Sequence, residues 1–96
     1  MMKNTPKDPS MALYEQIIKL QDVDSCYRFF QDLCSITELR AMEQRFDVAK
    51  LLYEGNVYTE IVEATRASSA TISRVNRALR YGDNGLMDAF DASKES

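Results

Sequence analysis

Four arginines, Arg66, Arg74, Arg77 and Arg80, fall between Thr65 and Tyr81 with no acid among them, in a chain whose net charge is −3. Small and hydroxyl residues accompany them: Ser68, Ser69, Ala70, Thr71 and Ser73. At about 100° per residue, Ile72, Val75 and Leu79 form one stripe of a helix. Ala70, Ser73, Arg74 and Arg77 form the opposite face, with Ser69 and Arg80 at its edge. Such a face suits the major groove of double-stranded DNA. Ala70 allows close approach, Ser73 can bond a phosphate or a base edge, and an arginine can read guanine with two parallel hydrogen bonds. A local basic stripe on an acidic chain is a focused anion-binding surface. A solvated basic face on an ordinary bundle helix would share the charge, but not the small-residue surface. The candidate DNA-binding residues are therefore Ser68, Ser69, Ala70, Thr71, Ser73, Arg74, Arg77 and Arg80.

Other chemistries find little support. The chain has no histidine, which removes the commonest general base and metal ligand. Its glycines, Gly55, Gly82 and Gly85, make no phosphate-binding loop. Cys26 and Cys34 form neither a CxxC nor a disulfide-dense pattern and read as reduced structural thiols. No catalytic residues, metal or cofactor are expected.

The elements that must position the basic face are all helical. With 96 residues, 45% of them hydrophobic, the chain makes one small domain with a thin core. Residues 1–10 read as a polar tail containing Pro6 and Pro9. From Ser10 on, the apolar spacing is helical. A first helix is predicted over about 11–22, and Asp24 or Ser25 can cap a second that carries Cys26, Phe29, Phe30 and Leu33. Ser35 with Glu38 fits a capping box for a third helix, carrying Leu39, Met42, Phe46, Ala49, Leu52 and Tyr53 and closed by Gly55. Thr59 to Ala64 reads as a short helix, Thr65-Arg-Ala as a tight connection, and Ser68 as the cap of a helix over about 69–81. Short helix, tight turn and second helix make a helix-turn-helix over 59–81. Asp83 or Asn84 can cap a last helix with Leu86, Met87, Ala89 and Phe90, leaving 93–96 to fray. The domain thus spans 11–92 in five or six helices with no strand.

The segments Ser68-Ser-Ala-Thr-Ile-Ser-Arg-Val75, Ser35-Ile-Thr-Glu-Leu-Arg-Ala-Met-Glu-Gln-Arg45 and Leu51-Leu-Tyr-Glu-Gly55, in this spacing, resemble those of the tryptophan-repressor-like family, and of its YerC/YecD branch most. The first is similar to the start of that family's recognition helix. The second resembles the opening of its central helix, and the third the close. Tyr58-Thr-Glu-Ile61 and Arg80-Tyr-Gly82 extend the resemblance, which covers about residues 28–90. It implies an all-helical, intertwined homodimer with two recognition helices in successive major grooves. It also implies a ligand pocket. Arg45 and Arg74 match the two arginines that sandwich the corepressor's indole, and Ser35 matches a threonine. Val75 stands where the repressor has glycine, and Ala78 where a serine receives the amino group. A branched side chain in the pocket and a missing polar partner predict that L-tryptophan is not the effector. The turn departs too: Arg66 stands where a helix-turn-helix prefers glycine, and Val62 where it prefers alanine.

Phe29 and Phe30, neighbours about 100° apart on a helix, cannot both face one narrow core; with Leu33 they are the expected dimer interface, a broad intrachain core being the alternative. No apolar run reaches the roughly 18 residues of a membrane span. MMKNTPKDPS lacks the apolar stretch of a signal peptide, so a cytoplasmic protein with no membrane partner is expected. The leading expectation is a homodimeric transcriptional regulator that binds double-stranded DNA, with any small-molecule effector unknown. The alternative is the same scaffold used as an interaction module for an acidic protein.

Overall fold

The computed structural model describes residues 8–94, which form six helices and no strand. They are α1 (Met11–Ile17), α2 (Val23–Leu33), α3 (Ile36–Tyr53), α4 (Tyr58–Thr65), α5 (Ser69–Tyr81) and α6 (Gly85–Lys94). The chain falls into two compact units, one up to Ile36 and one from Thr37 onward. Residues 1–7 of the expected N-terminal tail and 95–96 of the C-terminal one lie outside the described residues.

In the first unit, α1 ends at Ile17, not near residue 22. Lys19 N–H donates to Gln16 O and Leu20 N–H to Ile17 O, both at 3.1 Å, so the last turn tightens to i−3 bonding. The chain must leave the helix there because Asp22 takes the extended backbone of an N-cap. Asp22, not Asp24 or Ser25, caps α2: its Oδ1 accepts from Ser25 N–H at 2.7 Å. That bond, then the Ser25 hydroxyl and then the charge of Arg28, hold the Asp22 carboxyl below its ordinary value. Asp24 pairs instead with Arg28 at 2.8 Å, one turn on. Neither α1 nor α2 has a fully buried side chain. Phe29 and Phe30 are half-buried and meet edge to face, with centroids 5.4 Å apart. Leu33 is 56% exposed. Cys26 and Cys34 are free thiols, both half-buried.

The second unit holds the core. Val48, Ala49 and Leu52 of α3 pack with Ile61 of α4, Ala67 of the turn, Ile72, Val75 and Leu79 of α5, and Phe90 of α6. Met42 and Phe46, on the expected apolar face of α3, remain exposed. The end of α3 is fixed by Gly55 at φ +92. Asn56 N–H reaches Leu51 O at 3.0 Å and Gly55 N–H reaches Leu52 O at 3.1 Å, the paired bonds of a Schellman motif. Asn84, at φ 67, precedes α6, and its carbonyl accepts from Asp88 N–H at 2.8 Å. That helix runs to Lys94, into the segment expected to fray. Tyr53 ties the end of α3 to α6: its hydroxyl donates to Asp91 Oδ1 at 2.5 Å, and its ring meets Phe90 at 5.1 Å. The Asp91 bond, aided by desolvation and the carboxylate charge, pushes the Tyr53 phenol up to about 12.

Candidate nucleic-acid interface

The helix-turn-helix is built from α4, the link of residues 66–68, and α5. α4 starts at Tyr58 and lasts through Thr65, so the connection lies one residue later than Thr65-Arg-Ala. Two groups set the start and end. Glu60 Oε1 accepts from Val57 N–H at 2.9 Å, half of a capping box, since Val57 has no side-chain acceptor. The Thr65 hydroxyl donates to Ile61 O at 2.7 Å and accepts from Ala67 N–H at 3.2 Å, so one side chain spans the turn. Arg66 then reverses the chain in the left-handed region, φ 62 and ψ 14, with its N–H on Val62 O at 2.8 Å. From α3, Gln44 Nε2 donates to Thr65 O at 3.0 Å. Neither Gln44 nor Thr65 stood out in the sequence, because an amide and a hydroxyl at ordinary positions carry no spacing signal. Val62 is 40% exposed and stands outside the buried core.

Ser68 caps α5 as expected, its Oγ accepting from Thr71 N–H at 3.1 Å. Ala67, Ile72, Val75 and Leu79 are buried, which sets the rotation of the helix. Ser68, Ser69, Ala70, Ser73, Arg74 and Arg77 are consequently exposed, and Thr71 is half-buried. Among the described residues no carboxylate pairs with Arg66, Arg74 or Arg77. Arg80 behaves differently. Its Nη2 donates to Leu52 O and its Nε to Asn76 Oδ1, both at 3.4 Å, so it leans onto the carbonyl end of α3. Arg74, Arg77 and Arg80 are all exposed on α5; Arg80 alone of the three also reaches the scaffold, through the long contact to Leu52 O.

The other proposed pocket is partly assembled. A cavity of about 280 Å³ is lined by Met42, Arg45 and Phe46 of α3, Val75 and Ala78 of α5, and Leu86 of α6. Arg45, Val75 and Ala78 thus come together. Arg74 is exposed and does not line the cavity, and Ser35 belongs to the first unit. Met42, Phe46 and Leu86 were missing from the sequence-based set. Arg45 is the one charged residue of the wall and makes no ion pair among the described residues. No lining side chain offers an ammonium group an oxygen or nitrogen acceptor; the Met42 thioether is a weak one.

Comparison with known proteins bears on the family and the fold. Residues 10–94 match the family model described as Trp repressor protein. An uncharacterized Bacillus subtilis protein, YerC, is 49% identical over 84 residues, 88% of this chain and 81% of its own. A crystal structure of a TrpR-like protein from Eubacterium eligens is 46% identical and superposes with a TM-score of 0.83, covering 88% of this chain and 87% of that one. A Trp-repressor candidate from Staphylococcus aureus, 37% identical, gives 0.82 over 88% of this chain and 84% of its own.

Proposed function

This chain belongs to the Trp repressor protein family, and on that premise we propose that it is a sequence-specific DNA-binding transcriptional regulator that works as a homodimer, without catalysis. One observation carries the reading. On α5 the exposed face holds Ala70, Ser73 and two unpaired arginines, Arg74 and Arg77, directly opposite a fully packed apolar stripe. The N-terminal turn, Ser68 to Ser73, meets the bases with side chains small enough for close approach. Arg74 and Arg77 hold phosphates or guanines. Arg80 serves mainly as a brace between α5 and α3, contributing its charge at the margin.

A second copy completes the molecule. The apolar side chains of α2, with Phe29, Phe30 and Leu33 foremost, find no full burial within one chain. Covering them in a dimer also supplies the second recognition helix. The cavity beside α5 is the place for an effector, and its apolar wall with a single guanidinium does not suit L-tryptophan, whose ammonium would lack a partner.

Selection of bound duplexes from a random pool, followed by titration across a salt series, tests the reading. A preferred sequence above a steep salt dependence is expected. Equal, salt-steep binding to every duplex would instead favour use of the basic face on an acidic protein partner.

A further inference from the structure

Tyr81 closes α5 and is 85% exposed. Among the described residues it makes no hydrogen bond through its hydroxyl and no ring contact. Its place on the helix is informative. It follows Arg77 by four residues and Arg74 by seven, so at about 100° per residue it lies on the outward face with Ala70, Arg74 and Arg77. The stripe of Ile72, Val75 and Leu79 lies on the other side.

The helix is ended there by a residue that only glycine can be. Gly82 N–H bonds Ala78 O at 3.0 Å, and a Cβ at Gly82 would collide with that same carbonyl oxygen. The chain turns off at this point and leaves Tyr81 at an open corner. A large aromatic in water, at the end of a cationic face, has no role in the packing of this chain.

Resting on the DNA-binding reading above, we propose that Tyr81 is a further DNA contact, its ring packed over a deoxyribose and its hydroxyl donating to a phosphate oxygen. At about 1.5 Å per residue, Tyr81 stands roughly 16 Å along the axis from Ala70. The major groove is about 12 Å wide, so a helix whose first turn meets the bases carries its last turn over the sugar-phosphate wall. A phenol suits that boundary, with an apolar body and a polar tip. Tyrosine is among the side chains that donate to DNA phosphates. Arg74 and Arg77 on the same face supply the charge complementarity. Tyr81 differs from them in one measurable way. A neutral donor releases no counterion, so its contribution does not vary with salt.

The test compares wild type, Tyr81→Phe, Tyr81→Ala and Arg77→Ala in full-length protein, on the selected duplex and a scrambled one, across a salt series. Tyr81→Phe is expected to weaken both duplexes equally, about 3- to 10-fold for one lost hydrogen bond. Tyr81→Ala should weaken both further. Neither should alter the slope of affinity against salt, whereas Arg77→Ala should lower that slope by about one. Circular dichroism and sedimentation of each Tyr81 variant should match wild type, since the side chain packs against nothing. Wild-type affinity in both Tyr81 variants, beside a weakened Arg77→Ala, overturns the proposal and leaves DNA binding standing. So does an altered salt slope in Tyr81→Phe, or an altered assembly state in Tyr81→Ala, which would make Tyr81 a subunit contact. A wild-type protein that binds no duplex overturns the DNA reading itself.

Discussion

Arg66 holds φ 62 at the turn that sets the angle between α4 and α5. A side chain in this region meets the following carbonyl oxygen, at a cost of about 1 kcal/mol that glycine avoids. The Thr65 hydroxyl and the Gln44 amide hold the turn in place against that cost. Arg66→Gly is therefore expected to raise stability by up to about 1 kcal/mol, part of the gain being offset by the greater freedom of glycine in the unfolded chain. Chemical denaturation measures it, and a lowered midpoint would count against strain at this residue. The ligand question also belongs to single residues. Val75 is core as well as cavity wall, and Ala78 offers no acceptor. Calorimetry with L-tryptophan should show no low-micromolar binding, and the amino acid should not raise DNA affinity tenfold. A ligand that does not bind cannot shift the equilibrium.

At the scale of elements, α6 is joined to α3 through Tyr53, Phe90 and Asp91, with Lys94 over the Tyr53 ring at 5.5 Å. The pH dependence of this joint has a definite sign. Tyr53 titrates at about 12 in the folded chain against an ordinary 10.0, so the folded state holds its proton more tightly. The tie is fully present below about pH 10 and is lost as pH rises through about 12. Thermal unfolding of wild type against Tyr53→Phe should show this: the difference between them narrows across that window. A constant difference up to pH 12 would mean that the hydroxyl and Asp91 are not coupled. Asp22 has the opposite sign. Its carboxyl is held low, so the cap on α2 is present at neutral pH and lost as pH falls below the usual carboxylate range.

At the scale of the whole molecule, α1 and α2 leave apolar surface uncovered: Met11, Tyr14, Ile18, Val23 and Leu33 are exposed, and Phe29 and Phe30 are half-buried. If a second copy buried them, Phe29, Phe30 and Leu33 would each contribute only part of the roughly 1.5–3 kcal/mol of a side chain taken wholly out of water, because Phe29 and Phe30 are already half-buried and Leu33 is 56% exposed. A free chain would show an apolar patch that small soluble domains rarely tolerate. Assembly and folding should then be lost together on dilution, and the thermal midpoint should fall with protein concentration. Sedimentation that finds a compact, stable monomer at micromolar concentration would refute the homodimer. No helix among the described residues is long and apolar enough to cross a membrane.

Much of this protein is legible in its sequence. The stripe of Ile72, Val75 and Leu79 determined which side of α5 is buried, because a helix advances by a constant angle and apolar side chains leave water. Ser68 and Gly55 marked helix ends because capping is a local bond between residues a few positions apart. What only the tertiary structure decided depends on residues far apart in the chain. Arg80, a DNA-binding candidate in sequence, also reaches Leu52 O, 28 positions away. Gln44 braces a turn 21 positions downstream, and Tyr53 meets Asp91 across 38. The cavity took Met42, Phe46 and Leu86 into its wall and left Arg74 outside, because three helices had to pack before a concavity existed. Periodicity and capping are written within a few turns of one helix; a hydrogen bond or a cavity between helices exists only after the chain has brought them together.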